Sequence, residues 1–176
     1  MAISQDTLTP EALVERWREI IGRPEIIEAR KHIETDAYGN IFIGPEPDFD
    51  HQRRGGRIER LLKSLSPGSG SVRQRAILTD AGIKVPDVIW LDPSRVREIS
   101  GSKPITPAPE ICVEIRLTSN TCQELVDRRA AYFRAGAREV WICDDTNNIE
   151  FFGSHGQLLK SEICPHFPNV QRSMGA

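Results

Sequence analysis

Two apolar runs each carry a carboxylate at a position that a strand would bury. Residues 110–117, Glu-Ile-Cys-Val-Glu-Ile-Arg-Leu, alternate so that Glu114 and Arg116 share one face while Ile111, Val113 and Ile115 share the other. Upstream, Asp87 directly follows Pro86 in Val85-Pro86-Asp87-Val88-Ile89-Trp90. Removing a carboxylate from water without a partner is costly. Asp87 and Glu114 are therefore expected to share something positive, with a divalent metal the leading candidate. The plainer alternatives are an Asp87 satisfied by a turn or an arginine, and a Glu114–Arg116 ion pair covering one strand face.

The chain has 176 residues, 39% hydrophobic and 27% charged, which suffices for one domain with a real core. No basic segment followed by an apolar stretch opens it, and its apolar runs fall short of the ~20 residues a membrane helix needs. A soluble, cytoplasmic protein is expected. Cys112, Cys122, Cys143 and Cys164 are widely spaced with no CxxC pair, so reduced thiols are expected; Cys164-Pro-His166 is too short and isolated to argue for zinc.

The net charge of -2 hides an asymmetry. Residues 1–50 carry eleven acids against five bases, whereas residues 51–75 carry Arg53, Arg54, Arg57, Arg60, Lys63, Arg73 and Arg75 against Glu59 alone. Such a cluster suits phosphate, or is simply the solvated face of a helix followed by a polar strand edge. His51, at the head of that helix, is a further candidate phosphate contact.

The elements that must position these groups follow from punctuation and periodicity. Thr9, Pro10 and Glu11 open a first helix with Leu13, Trp17, Ile20 and Ile21 on one stripe, and Gly22 ends it. Residues 25–36 and 40–44 read as strands of a hairpin. A second helix spans 51–65, its stripe Ile58, Leu61, Leu62 and Leu65, and Pro67-Gly68-Ser69-Gly70 stops it. Strands are expected at 71–78, 84–91 and 110–117, with a Pro-rich connection over 92–109 containing one helical turn. Helix 120–135, opened by Asn120 and closed by Gly136, leads to strand 138–143. A hairpin follows, 149–153 with 157–163, and the tail from Pro165 is irregular. Helix 120–135 is long enough to join parallel strands, so a mixed sheet flanked by helices is expected, with Trp90 and Trp141 as core or interface anchors. The whole reads as a single domain over 1–176: an N-terminal helix and hairpin (1–50), a core (51–143), and a C-terminal hairpin and tail (144–176).

From residue 51 the order is α, β, β, β, α, β, with Pro86-Asp87 on the second core strand and Glu114-x-Arg116 on the third. This resembles the PD-(D/E)XK nuclease superfamily, the restriction-endonuclease-like fold, and most closely the putative restriction endonuclease family of bacterial proteins. Three stretches carry the likeness: Gly82 to Val88, Pro109 to Ile115, and Tyr132-Phe133-Arg134-Ala135-Gly136-Ala137-Arg138-Glu139-Val140-Trp141, which is similar to that family's YxxAGxxEyW signature. The resemblance implies an α/β (α+β) fold and hydrolysis of DNA phosphodiester bonds with Mg²⁺ or Mn²⁺. Asp87 and Glu114 would hold the metal together with the carbonyl of Ile115, and Glu59 is the acid available from the preceding helix. Arg53, Arg54, Arg57 and Arg60 would contact nucleic acid, and a homodimer is expected.

One departure from the pattern stands out. The superfamily lysine should lie two residues after Glu114, where this chain has Arg116. Relatives in the nearest family carry a lysine four residues before the tyrosine, where this chain has Arg128. An arginine clamps phosphate, but its pKa above ~12 prevents it from accepting a proton. Lys84 lies three residues before Asp87, within conceivable reach of the site. A metal-dependent endonuclease is the first expectation; a nuclease fold that binds nucleic acid without cutting it, or a protein-interaction module, are the alternatives.

Overall fold

Alternation along two central strands divides the core into two layers. The computed structural model describes residues 6–29, 32–66, 70–117 and 120–169. In β6 (Val88–Leu91) and β7 (Ile111–Ile115), Val88, Trp90, Ile111, Val113 and Ile115 face Ile58 and Leu62 of helix α3 (Phe49–Leu65). The alternate residues Ile89, Leu91 and Cys112 face Tyr132 of helix α4 (Cys122–Arg134). Both strands are buried along their whole length because a helix covers each face, as their near-continuous apolar sequence requires.

With β3 (Gly70–Arg73), β8 (Glu139–Cys143), β9 (Ile149–Gly153) and β10 (Gly156–Leu158), these strands form a six-stranded sheet in the order β10-β9-β8-β7-β6-β3. Only β7 and β8 are parallel, because only they are joined by a helical crossover, α4; the other neighbours are antiparallel. The mixed, helix-flanked sheet expected from the sequence is therefore present. Thr121 caps α4 in a reciprocal box with Glu124, one residue later than the expected opener Asn120, whose Oδ1 accepts from Leu117 N instead. Asp48 caps α3 by accepting from His51 N at 2.8 Å, so that helix starts at Phe49.

Three expected strands are corrected. Residues 25–36 do not extend throughout: Pro24–Ala29 form a short helix, α2, since Pro24 is preset for a first turn and Glu25 suits the positive end. Only β1 (Ile33–Thr35) is strand there, paired with β2 (Ile41–Ile43). The run 71–78 breaks at Gln74, whose φ of 52° turns the chain out of the sheet. The run 84–91 breaks at Val85-Pro86-Asp87, where proline has no N–H to donate. Between the breaks, β4 (Ile77–Thr79) and β5 (Gly82–Lys84) form a hairpin apart from the main sheet. That hairpin packs under helix α1 (Pro10–Ile21), with Ile83 and Val85 against Leu13, Trp17 and Ile20.

The hairpin also brings β1 to the site. Ile83 N donates to Thr35 Oγ1 at 2.9 Å, and Val85 N donates to Glu34 Oε1 at 2.7 Å. Gly82 makes the approach possible: at φ +105° its missing side chain leaves room for the Thr35–Asp36 backbone, which a Cβ would meet at 2.4 Å.

Trp141 is fully buried and packs edge-on against Phe151, with Phe167 beside it, so it anchors the core. Its indole N–H donates to Glu139, whose other oxygen accepts Glu162 N and Ile163 N at 2.7 and 2.9 Å. Cys112, Cys143 and Cys164 are buried free thiols and Cys122 is an exposed one. No described helix is long and apolar enough to cross a membrane.

Candidate active site

Asp87 and Glu114 are the residues immediately beyond the Val88–Val113 pair of the β6–β7 ladder, at the end where both strands meet a cavity of about 520 Å³. Both carboxylates are buried, and both line it. Asp87 Oδ2 accepts the amide of Ile115 at 2.7 Å, and Oδ1 lies 3.2 Å from His51 Nε2. Thus its partners are neither a turn nor an arginine. The first turn of α3 delivers His51, which is 4% exposed and has no partner for Nδ1 among the described residues.

Glu114 is held from α4. Its Oε1 accepts from the Tyr132 hydroxyl and from Arg128 Nε at 3.0 Å. Burial pushes the Glu114 carboxyl up from its ordinary pKa; Arg128 opposes this, and the charges of Asp87 and Glu34 add to it.

Arg128 also reaches across to β1, donating from Nη1 and Nη2 to the two oxygens of Glu34 at 2.6 and 2.7 Å. Burial opposes ionisation of Glu34, but hydrogen bonds from His32 and Arg128 outweigh it and hold the carboxyl well below its usual range. The third buried acid of the cavity is thus Glu34, not Glu59, which pairs with Lys63 at 2.6 Å on α3 and does not line the cavity. Glu34 lies in a segment whose sequence reads only as a hairpin. Its one signal was an acid beside Ile33 in a short strand-like run, too common to single out.

Lys84 lines the cavity from β5, its Nζ donating to Thr35 O at 3.0 Å. Burial lowers its pKa, with Glu34 opposing and Arg128 adding to the effect. Ile115 lines the cavity as well. Arg116 does not: β7 ends at Ile115, and the exposed Arg116 side chain lies beside Cys122 Sγ at 3.8 Å. Strand alternation placed it with Glu114, but alternation holds only inside the strand. Nor do the α3 arginines reach the cavity. Arg53 pairs with Asp50 at 3.0 Å, Arg54 donates to Asp145 O at 2.9 Å, Arg57 is half-buried, and Arg60 is exposed.

The donor set can be tested against a divalent ion. Glu34, Asp36, Asp87, Glu114, Glu124 and Asp127 line the cavity against only Lys84, Arg128, His32 and His51, an excess of negative charge that suits a cation. No hydrogen bond from the described residues reaches Glu114 Oε2. Among the described residues, no three acidic, histidine or cysteine side chains converge closely enough to cage an ion alone. Mg²⁺ is usually held by one or two carboxylates and keeps several waters, so a larger cage is not required of it. The residues fit the ion.

A mixed sheet sandwiched between α3 and α4, with an acidic cavity at the β6–β7 end, defines a protein of the restriction-endonuclease-like class. The chain belongs to the Uma2 family, described as putative restriction endonuclease, which it matches over residues 17–174. It is similar in fold to a solved structure of a putative nuclease belonging to DUF820 from Anabaena variabilis ATCC 29413. The TM-score is 0.62 at 16% identity, covering 74% of this chain and 76% of that one. No curated protein sequence matches the chain.

Proposed function

We propose that the protein is a metal-dependent endonuclease that hydrolyses DNA phosphodiester bonds in the cavity at the β6–β7 end. The observation that carries this reading is the pairing of Asp87 with Glu114 at one cavity wall, with Glu114 pushed toward its neutral form by burial and by neighbouring acids. Asp87, Glu114 and the Ile115 carbonyl would hold Mg²⁺ or Mn²⁺. When bound, the ion neutralises charge on the phosphate and lowers the pKa of an attacking water. The chain's own groups prepare the site: Ile115 N and His51 orient Asp87, while Tyr132 and Arg128 fix Glu114.

DNA is the substrate that family membership favours. The arginine-rich face of α3 supplies a surface for strand contacts away from the cavity, and a homodimer would let two sites address two strands. A catalytically silent DNA binder is the second reading, favoured by Arg128 standing where relatives carry lysine. The acidic lining weighs against it, since such a wall repels phosphate unless a cation intervenes.

The test is cleavage of supercoiled plasmid in Mg²⁺ or Mn²⁺, together with Mn²⁺ titration by calorimetry. Asp87→Asn and Glu114→Gln should lose both cleavage and metal uptake while keeping the wild-type circular dichroism. Cleavage persisting in both variants would remove the assignment. Salt-dependent DNA binding without cleavage in either metal would favour the second reading. Sedimentation equilibrium reads the dimer separately.

A further inference from the structure

Neither arginine that stands in for the family's lysine is free to meet a substrate phosphate in the cavity. Arg116 does not line it. Arg128 does, but Nε serves Glu114 while Nη1 and Nη2 serve Glu34, so turning it toward a phosphate would strand two buried carboxylates. Lys84 differs in both respects. Its single hydrogen bond among the described residues is to a peptide carbonyl, Thr35 O, and no carboxylate of those residues lies within ion-pair distance. An ammonium carries three N–H donors, so two remain for a ligand and the charge is not cancelled by direct pairing.

Its placement is also built. Gly82 seats the β4–β5 turn on the β1 backbone, and Ile83 N and Val85 N, on either side of Lys84, are both bonded to β1 side chains. The Lys84 stem therefore leaves a strand pinned on both sides, and Lys84 lines the same cavity as Asp87 and Glu114.

We propose that Lys84 is the catalytic cation of this site, donating directly to the substrate phosphate in the role that neither Arg116 nor Arg128 fills. The inference rests on the nuclease reading above. Lys84 acts here as a positive hydrogen-bond donor and transfers no proton. A conservative replacement that keeps the charge should therefore keep the function.

The experiment compares full-length wild type with Lys84→Met, Lys84→Gln, Lys84→Arg and Asp87→Asn. It uses single-turnover plasmid cleavage in Mn²⁺, Mn²⁺ calorimetry, and oligonucleotide binding in Ca²⁺ across a salt series. Lys84→Met and Lys84→Gln should cut about 100-fold more slowly, as for loss of one charged donor to a transition state, with Mn²⁺ affinity unchanged. Their slope of log K against log salt should fall by about one phosphate contact. Lys84→Arg should remain within about tenfold of wild type. Lys84→Gln keeps a donor for Thr35 O, so it preserves the readout if Lys84→Met does not fold. Cleavage and salt slope both unchanged in the neutral variants would reduce Lys84 to a tether between strands and overturn the proposal. Lys84→Arg as slow as Lys84→Met would overturn the donor role in favour of proton transfer. If wild type cuts, Asp87→Asn does not, and Lys84→Gln cuts normally, Lys84 alone fails. If wild type does not cut in any divalent metal, the nuclease reading fails first.

Discussion

Arg128 grips Glu34 with both terminal guanidinium nitrogens, at 2.6 and 2.7 Å, across 94 residues of sequence. Both side chains are largely buried, so each needs the other: removing one partner leaves an uncompensated charge. Glu34→Ala and Arg128→Ala should each lower unfolding free energy by about 3 kcal/mol. Arg128→Lys should cost about 1 to 3 kcal/mol because the single nitrogen of an ammonium does not match the planar fork that spans Glu34 and Glu114. Urea denaturation checks this; an Arg128→Lys variant as stable as wild type would show that the fork geometry contributes nothing.

Glu139, part of the sequence signature around Trp141, has a structural task. It is 2% exposed and accepts three N–H groups, from Trp141, Glu162 and Ile163. Glu139→Ala leaves those donors unpaired beside a void, for an expected loss of about 2 to 4 kcal/mol. Limited proteolysis should then cut near residues 159–163 earlier than in wild type, while Mn²⁺ uptake at the distant cavity survives in the folded fraction. Equal protease resistance would remove the anchoring role.

His32 gives stability a pH slope. Burial favours its neutral form, but the hydrogen bond and charge of Glu34 outweigh burial and raise its pKa above the ordinary 6.5. A raised folded value means that the stabilisation is fully present below about pH 6.5 and is lost as pH rises through the folded value. Glu34, held low, has the opposite sign: its contribution is present above its ordinary 4.5 and lost as pH falls through its folded value. Melting temperatures between about pH 6 and 8.5 should fall more steeply for wild type than for His32→Gln. Parallel curves would contradict the coupling.

Gly82 is the position least able to accept a side chain. Its φ of +105° already strains any L residue, and a Cβ would sit 2.4 Å from the Asp36 carbonyl. Gly82→Ala should destabilise by about 2 to 3 kcal/mol and, because it pushes β5 off β1, displace Lys84 as well. Differential scanning calorimetry measures the first effect. A melting temperature within about 1 °C of wild type would show that the β1 backbone yields freely.

Much of the frame was legible because it depends on local rules. Periodicity marked α1, α3 and α4, and the length of α4 required the parallel β7–β8 pair. Local rules also explain the misreadings. The run 25–36 read as strand, but Pro24 and Glu25 started a helix. The long strands 71–78 and 84–91 ended at Gln74 and at Pro86, where a backbone angle and a missing donor mattered more than apolar content. Arg116 looked like a neighbour of Glu114 because alternation was carried one residue beyond the strand.

The sequence by itself determined that Asp87 and Glu114 sit in apolar runs that build the core, where an unpaired carboxylate is costly and a positive partner is expected. Which charges surround them was decided only by tertiary structure. Glu34, His32 and Lys84 come from a hairpin layer that is not part of the main sheet, and its docking depends on contacts such as Val85 N to Glu34, 51 residues apart. Spacing along a chain carries no record of such closures. They follow from backbone turns at Gln74 and Gly82 and from the burial of Ile83 and Val85 under α1, and these turned a pair of acids into a cavity with a lysine at its wall.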